Sequence, residues 1–370
     1  MKKGLLIFFT ILLYASCSYY QKPISKASPP IRILLYQGND IVIKPYRGYV
    51  ISISSRKEAG EGIVYINLSN KTLYINDSPV SSEYIEIIPT DHFQWNGRKY
   101  PGLAIIVFTN NSLYLINQTD IETYLKGVLP NEVSPKWDME ALKAQAIVSR
   151  TYALYETVMA RKNGKFFDVY ADTRSQLYSG LNTENQNTSL AIESTLGEVI
   201  RYDGKVIPSF FHSSSGGMTE AAIEVYGNDW PYLKPVESPY CSVYRDNKWE
   251  TSISLHKLQN LLRITNRIQS ISVIERTESK RIKTIEIQDN SGCKTKISGI
   301  NFRDLIGPTI MKSTRANIYL SNDLVLIKGM GYGHGVGMGQ WDALGMAKQG
   351  FSYKSILSFF YRGISVDRMW

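Results

Sequence analysis

Residues 124–155 read YLKGVLPNEVSPKWDMEALKAQAIVSRTYALY and place one carboxylate, Glu132, between two predicted helices. Asp120 is a natural N-cap for a short helix over 121–126, and Gly127 ends it. A second helix is predicted to begin at Ser134-Pro135 or at Asp138 and to run to about Arg161, with apolar side chains along one stripe. The stretch therefore predicts a long central helix with a single acidic group just before it.

The surroundings of Glu132 favour a protonated carboxyl group. Val128, Leu129, Val133 and Trp137 are apolar neighbours, and prolines on both sides stiffen the connection. A carboxyl group shielded from water there would keep its proton near neutral pH, as a general acid acting on a glycosidic oxygen requires. A helix N-terminus nearby acts in the opposite direction because it stabilises the carboxylate. The acid role therefore depends on desolvation outweighing that effect.

The rest of the chain predicts an α+β fold that is mixed and strand-rich, with a smaller N-terminal β-rich region. Residues 31–118 contain short β-branched and aromatic runs, and Asn96-Gly97 is a hairpin signal. Residues 119–365 are predicted to form the functional core. Within it, residues 251–328 read as a β-rich α/β segment with one amphipathic helix over 255–262, and two helices are predicted at 340–348 and 353–360.

The N-terminus predicts export. Lys2 and Lys3 precede an apolar run that is too short to span a bilayer as a mature helix, so residues 1–17 read as a secretory signal. The run ends in Leu13-Tyr14-Ala15-Ser16-Cys17, which resembles a bacterial lipoprotein box with Cys17 as the lipidated residue; plain cleavage near Ser16 is the alternative. Residues 18–30 form a linker. We expect an exported protein, lipid-anchored at the outer face of the cytoplasmic membrane or in the periplasm.

Charge and cysteine usage narrow the possible partners. The formal net charge of +9 favours an anionic partner. No block of like charge concentrates it, so we do not expect nucleic acid, and cell-wall carboxylates fit as well. Cys241 and Cys293 are either a disulfide or two separate thiols, and because no CxxC or HExxH spacing exists we predict no metal and no cofactor.

Two glycine-containing segments are candidate ligand loops. His212-Ser213-Ser214-Ser215-Gly216-Gly217 follows a predicted strand but lacks the pattern of a catalytic serine elbow. Residues 329–340, GMGYGHGVGMGQ, have glycine at every second position and lack the lysine of a phosphate-binding loop. Both predict irregular backbone that approaches a ligand or another loop closely. His334 lies in the second segment and either donates to a substrate or is a packed structural group.

Together, these motifs resemble the SpoIID/LytB family of cell-wall proteins, which includes stage II sporulation protein D and the amidase enhancers. The resemblance covers about residues 30–365. The matching runs are Tyr124–Val128 with Glu132, Glu140–Ala146 with Arg150–Ala153, Ser214–Gly217, Trp230–Leu233 and Gly331–Gln340.

The resemblance implies a lytic transglycosylase acting on peptidoglycan glycan strands, with Glu132 as general acid and base. In the sporulation branch the strands have already lost their stem peptides. The matching motifs imply substrate-binding roles for a further set of residues: Lys143, Gln145, Arg150, Ser214, Ser215, His334 and Gln340. Some relatives hold zinc near the position of His212, but this chain supplies only Cys241 as a soft co-ligand. The alternatives are a noncatalytic glycan-binding enhancer of a cell-wall amidase and, less favoured, a hydrolase using a serine or a metal.

Overall fold

The computed structural model describes residues 27–370. The predicted signal sequence, Cys17 and most of the linker lie outside these residues. Within 27–370 no helix combines the length and the apolar character needed to cross a membrane.

The first part of the described chain is built from twelve strands. Their bounds are β1 (Pro30–Gly38), β2 (Asp40–Pro45), β3 (Tyr49–Ile53), β4 (Arg56–Gly60), β5 (Val64–Ser69), β6 (Thr72–Ile75), β7 (Ser78–Val80), β8 (Tyr84–Pro89), β9 (His92–Trp95), β10 (Arg98–Pro101), β11 (Leu103–Thr109) and β12 (Ser112–Asp120).

Helices dominate the middle and the end of the chain. They are α1 (Ile121–Lys126), α2 (Leu129–Glu132), α3 (Met139–Lys162), α4 (Gln186–Ser194), α5 (Ala222–Tyr226), α6 (Leu255–Leu262), α7 (Gly299–Ile306), α8 (Gln340–Lys348) and α9 (Tyr353–Phe360). The strands among them are β13 (Val169–Tyr170), β14 (Glu198–Tyr202), β15 (Lys205–Val206), β16 (Phe211–His212), β17 (Lys248–Ser254), β18 (Ile268–Arg276), β19 (Ile282–Asp289), β20 (Lys294–Ser298), β21 (Ala316–Ser321), β22 (Leu324–Met330), β23 (Met338–Gly339) and β24 (Ser365–Arg368).

The N-terminal strands form two sheets that share a core with the central helix. One sheet has the order β13-β1-β12-β11-β8-β3-β4, and the other has the order β10-β9-β2-β5-β6-β7. A single hydrophobic cluster runs from Ile31 through Leu125 and Leu142 to Val199. The boundary predicted at residue 118 therefore crosses a continuous core.

Two further clusters complete the interior. The second packs Ala144 and Val148 of α3 against Leu344 of α8 and Leu357 of α9. Because α3 is buried on both sides, its many alanines allow close approach of neighbouring elements. The third cluster lies entirely within the segment that carries β17 to β22, and its residues fall between Trp249 and Ile327.

The predicted α+β class is confirmed. Helices were predicted with the observed bounds at 121–126, 255–262, 340–348 and 353–360. The apolar run 205–211 does not form one strand: it is divided into β15 and β16, because Pro208 between them has no N–H to donate to a ladder. The alternative left open for the cysteines is decided as two separate thiols, since Cys241 is buried and free and Cys293 is exposed and free.

Candidate active site

Glu132 ends a one-turn helix, α2, rather than lying in irregular chain. The Glu132 N–H donates to Val128 O at 3.2 Å, and the Val133 N–H donates to Leu129 O at 3.1 Å. Val128, Leu129 and Val133 are buried in the core beneath this turn. These apolar side chains hold the turn against the core, whereas the Glu132 side chain lines two cavities.

The environment of Glu132 keeps its proton more tightly than water would. Burial raises the pKa of its carboxyl group above the ordinary value of 4.5. Two donors oppose the shift: the Leu177 backbone N–H, which lies 3.1 Å from Oε1, and the Gln340 side-chain amide. The net direction is upward, so desolvation outweighs both donors.

Glu132 lies where two cavities meet. The larger, about 590 Å³, is lined by Glu132, Tyr152, Thr173, Arg174, Ser175, Leu177, Phe210, Phe211, His212, Ser213, Tyr226, Tyr332, His334 and Gln340. The smaller, about 320 Å³, is lined by Pro130, Asn131, Glu132, Val133, Ser134, Trp137, Ser213, Gln340 and Trp341. Glu132, Ser213 and Gln340 line both, so the two cavities form one groove with Glu132 between its arms. Among the described residues that line the groove, Glu132 is the sole carboxylate.

Gln340 is placed to act on Glu132. It begins α8 and is largely buried, and its Nε2 has no hydrogen-bond partner of ordinary length among residues 27–370. A buried amide N–H without an acceptor is costly, so such a group is often one that donates to a ligand or to a catalytic side chain. The predicted contact of Gln340 with substrate stays a prediction.

Aromatic rings cover one wall of the larger cavity. Phe210 and Tyr226 are stacked with centroids 4.1 Å apart, and Trp230 lies 5.8 Å from Phe210. Tyr152 is 6.4 Å from the same ring. Flat apolar faces bordered by polar groups are typical of ligand pockets.

The two histidines beside this wall are neutral. Their ring centroids are 5.6 Å apart. Burial lowers the pKa of His334 to about 4 and lowers that of His212 well below its ordinary value. His334 Nδ1 accepts from the Val336 N–H at 3.1 Å, which leaves Nε2 as the protonated nitrogen. His334 lines the groove as a neutral imidazole, and a hydrogen bond with the Phe211 backbone raises its pKa without offsetting burial. Donation to a substrate stays a prediction.

The two glycine-containing segments, 212–217 and 329–340, pack against each other beside Glu132, and we call them the floor of the groove. Ser214 and Tyr332 are paired in an isolated bridge, and β16 pairs in parallel with β23. A Cβ at Gly337 would lie 2.0 Å from the Phe210 carbonyl oxygen, and Gly337 has φ of +71°. Glycine is therefore required there by both contact and conformation, as predicted for close backbone approach.

Ser214 and Ser215 lie in this floor but turn their hydroxyls inward. Both are completely buried. Ser214 Oγ donates to Asn247 Oδ1 at 2.9 Å, and Ser215 Oγ donates to Asp342 Oδ1 at 2.6 Å. Asp342 also accepts from the Ser215 N–H and from Ser238 Oγ. These contacts hold the loop in shape, and the predicted contact with substrate has no geometric support.

Arg150, Gln145 and Lys143 are on α3 and do not line the groove. Arg150 is fully buried and pairs with Glu122 through Nε at 2.9 Å and Nη2 at 2.8 Å. Gln145 Nε2 donates to Ser149 Oγ at 3.1 Å, and Lys143 Nζ pairs with Glu140 at 2.9 Å. Of the predicted site residues, the structure brings together Glu132, His334 and Gln340.

Several lining residues were missed by sequence reasoning. Leu177 contributes a backbone N–H, for which no sequence signal exists. Phe210 lies two residues before the segment His212–Gly217, and this position in the sequence is a signal for it. Tyr226 and Arg174 lie in segments for which the sequence analysis identifies no element or motif.

Metal ligands do not converge at this site. In the part of the chain that the structure describes, no group of three or more His, Cys, Asp or Glu side chains is arranged to hold an ion. His212 Nδ1 lies 3.1 Å from Val336 O, whereas Cys241 contacts Ser238 and Asn247.

Comparison with known proteins gives consistent matches. The profile of the SpoIID family, described as stage II sporulation protein, matches residues 109–202, which include Glu132. An uncharacterized protein of Brachyspira hyodysenteriae is 36% identical over 299 residues, 80% of this chain and 79% of the relative. The amidase enhancer of Bacillus subtilis is 30% identical over 65% of this chain and 40% of its own length. Stage II sporulation protein D of the same organism is 26% identical over 68% of this chain and 76% of the relative.

Proposed function

This chain belongs to the SpoIID family of stage II sporulation proteins, and from that premise we propose that it is a lytic transglycosylase that cleaves peptidoglycan glycan strands. The bond cleaved joins C1 of N-acetylmuramic acid to the oxygen of the following N-acetylglucosamine. The reaction leaves a 1,6-anhydro ring on the muramic acid at the new end of the strand. Neither a cofactor nor a metal is needed.

The observation that carries the proposal is a single carboxyl group with a raised pKa at the junction of two cavities. A glycan strand laid along the groove would have sugars in both arms and one bond beside Glu132. Ordinary glycosidases use two carboxylates to handle water or a covalent intermediate. One carboxylate suffices when the nucleophile belongs to the substrate.

The reaction then proceeds in two proton transfers. Protonated Glu132 donates to the leaving oxygen as its bond to C1 breaks, and positive charge develops on the muramic ring. The carboxylate so formed takes the proton from the 6-hydroxyl of the same sugar, and O6 bonds to C1. Glu132 ends protonated again, and no water is consumed.

The remaining groove residues have supporting roles in this scheme. The Leu177 N–H and the Gln340 amide would hold the carboxylate during the moment it is charged. The wall of Phe210 and Tyr226 offers flat faces to the sugar rings and excludes water from the reacting carbon. Neutral His334 would donate a hydrogen bond to a sugar oxygen from its protonated Nε2.

A second candidate is favoured by one specific observation. A relative with 30% identity is named an amidase enhancer. In that function the groove would bind glycan without cleaving it, and the partner would be a cell-wall amidase. In either case we infer that the protein acts outside the cytoplasm, with Cys17 as the proposed membrane anchor.

The test is digestion of purified sacculi, intact and amidase-treated, with mass spectrometry of the products. Anhydro-muramic ends are expected from the wild-type protein and not from Glu132→Gln. Glu156→Gln is the matched control, because burial also raises the pKa of Glu156 but its side chain does not line the groove. Anhydro ends from Glu132→Gln would remove the assignment. Binding of sacculi with no product from any form would favour the enhancer.

A further inference from the structure

The segment 248–328, which contains the third hydrophobic cluster, contacts the floor of the groove through the turn between β18 and β19. We call residues 277–281 the hairpin tip. Two of its side chains, Ser279 and Arg281, are only 0% and 1% exposed, although connecting turns ordinarily run over the surface. Buried polar side chains need partners in the protein. The hairpin tip is therefore inserted into the structure rather than projecting from it.

Glu220 receives the hairpin tip. Its Oε2 accepts from Thr277 Oγ1 at 2.6 Å and from Ser279 Oγ at 2.8 Å. The Glu220 backbone N–H donates to Gly335 O at 2.8 Å, in the second glycine-containing segment. Glu220 is itself buried, so these bonds are shielded from water. Through this one residue the hairpin tip is attached to the floor of the groove.

Arg281 contacts both segments of the floor. Its Nη2 donates to Ser215 O at 2.9 Å and to Met218 O at 3.2 Å, which lie in the first segment and directly after it. The guanidinium also packs on Gly335 of the second segment, where a Cβ would lie 2.5 Å from Nε. Gly335 has φ of +90°, so glycine is required there by contact and by conformation. One side chain thus fixes two segments that are far apart in sequence.

The burial of Arg281 is costly. Its Nε and Nη1 are buried and have no hydrogen-bond partner among residues 27–370. Burial lowers its pKa to about 10, and Glu220 and Asp342 attract its charge without coming close enough to bond with it. A buried cation with unpaired N–H groups reduces stability. Proteins break the rule of satisfied buried groups mainly at functional sites.

The contacts of Arg281 lie next to residues that line the groove. Ser215 follows Ser213 by two positions, and Gly335 directly follows His334. Ser213 lines both arms, and His334 lines the larger arm. Burial is the main cause that lowers the pKa of His334, and the charge of Arg281 lowers it further. Displacing the guanidinium would therefore change both the placement and the protonation of groove residues.

We propose that Arg281 is a positioning residue of the groove: it holds the two glycine-containing segments at a fixed separation, so that Ser213 and His334 present a preformed floor to the glycan. The inference rests on the proposed function, because it takes a glycan strand as the ligand. Arg281 lines neither arm, so it acts through the floor. The segment 248–328 thereby becomes part of the binding machinery.

The first readout is binding of amidase-treated glycan strands, titrated into the Glu132→Gln protein. Arg281→Met removes the guanidinium and frees the two segments. We expect binding to weaken about tenfold, which corresponds to the loss of one well-placed hydrogen bond to the ligand. Arg281→Lys keeps the charge but not the fork and should recover part of the affinity. With Glu132 intact, Arg281→Met should raise KM by a larger factor than it lowers kcat.

Two control variants separate positioning from stability and net charge. Leu258→Ala weakens the third hydrophobic cluster of the same segment, because Leu258 is fully buried in it and lies outside the hairpin tip. Arg267→Met removes one exposed charge from that segment. Both should bind strands as tightly as the Glu132→Gln protein, at a temperature where urea unfolding shows every variant to be folded.

The second readout is the imidazole NMR signal of His334, which a merely structural role would not move in a folded protein. The chain has four histidines, so the signals can be assigned by substitution. Removing the positive charge of Arg281 makes the protonated imidazole less unfavourable. The pKa of His334 should therefore rise from about 4, by about one unit in Arg281→Met and by less in Arg281→Lys. The exposed His256 should titrate unchanged.

Either unchanged affinity or an unchanged titration of His334 in folded Arg281→Met would overturn the proposal. An equal loss of affinity in Leu258→Ala would mean that binding follows stability, and an equal loss in Arg267→Met would mean that it follows net charge. Either result would also overturn it.

Two further arms keep the test decisive. If neither Arg281 variant folds, Ser279→Ala is used, because it removes only one of the two bonds to Glu220. It should weaken binding by a smaller factor, and unchanged binding would overturn the proposal. Cleavage is scored separately with Glu132 intact. Anhydro product from the wild type with full affinity in Arg281→Met would overturn the positioning role alone. Weaker binding in Arg281→Met with no product from any form would overturn the reaction alone.

Discussion

The buried pair of Arg150 and Glu122 gives a prediction that separates a structural role from a substrate role. Arg150 makes bonds with all of its donor groups: two to Glu122, one to Thr195 Oγ1 at 3.3 Å, one to Glu198 O at 3.2 Å and one to Ile192 O at 3.1 Å. These contacts join α1, α3, α4 and β14. Arg150→Met removes them all and leaves Glu122 charged and 8% exposed.

The size of the effect follows from what remains around Glu122. Its Oε1 still accepts from the Gly197 N–H and from Trp370 Nε1, both at 3.0 Å, whereas Oε2 loses its partner. Breaking a buried ion pair on one side costs about 3–5 kcal/mol, and the two surviving donors place this case near 3. Arg150→Lys keeps the charge but loses the paired geometry, so we expect an intermediate loss.

Urea unfolding followed by fluorescence measures these losses, and a double-mutant cycle with Glu122→Gln measures the coupling. The double variant should be more stable than the sum of single losses predicts, by about 0.5–3 kcal/mol. If Arg150→Met loses less than about 1 kcal/mol while glycan affinity falls sharply, Arg150 contacts substrate and the structural assignment is refuted.

Three further predictions concern the groove and its floor. Gln340→Met removes a donor that lowers the pKa of Glu132, so the pKa rises, the protonated acid persists to higher pH, and the alkaline limb of the kcat profile should move upward; an unmoved limb would show that Gln340 does not act on Glu132. Gly337→Ala must displace the Phe210 carbonyl, whereas Gly97→Ala has the same sign of φ but nothing within 4 Å, so Gly97→Ala should cost only about 1–2 kcal/mol and Gly337→Ala more, with loss of activity. Asp342→Ala leaves three buried donors without an acceptor: the Ser215 N–H, Ser215 Oγ and Ser238 Oγ. Each such donor costs at least about 1 kcal/mol, so the free energy of unfolding should fall by roughly 3 kcal/mol or more. Retention of full stability in urea unfolding would show that Asp342 does not hold the loop.

Local signals predicted much of the fold. The Asp120 side chain caps α1 by accepting from the Thr123 N–H, and Asp138 caps α3 in the same manner through the Glu140 N–H. Asn96 and Gly97 have φ of +46° and +73°, as the hairpin signal requires. These elements were predictable because capping and turn chemistry act over a few residues.

The candidate site was predictable only where chemistry and position coincide. Glu132 was identified because its apolar neighbours are adjacent in sequence. Leu177 and Phe210 join it through tertiary contacts of the fold, which local patterns do not encode. Arg150, Ser214 and Ser215 were assigned to substrate from motif membership, and the structure shows that such motifs also contain the groups that hold the loops and helices in place. Asp342 was missed because an acidic residue at the start of a helix ordinarily indicates a solvated first turn.

The most direct measurement of the mechanism is digestion of amidase-treated strands in water that carries a heavy oxygen isotope. If Glu132 passes the proton and O6 attacks C1, the new ends are one water lighter than reducing sugars and contain no label. Labelled reducing ends would mean that water attacks C1, and the intramolecular account would be wrong.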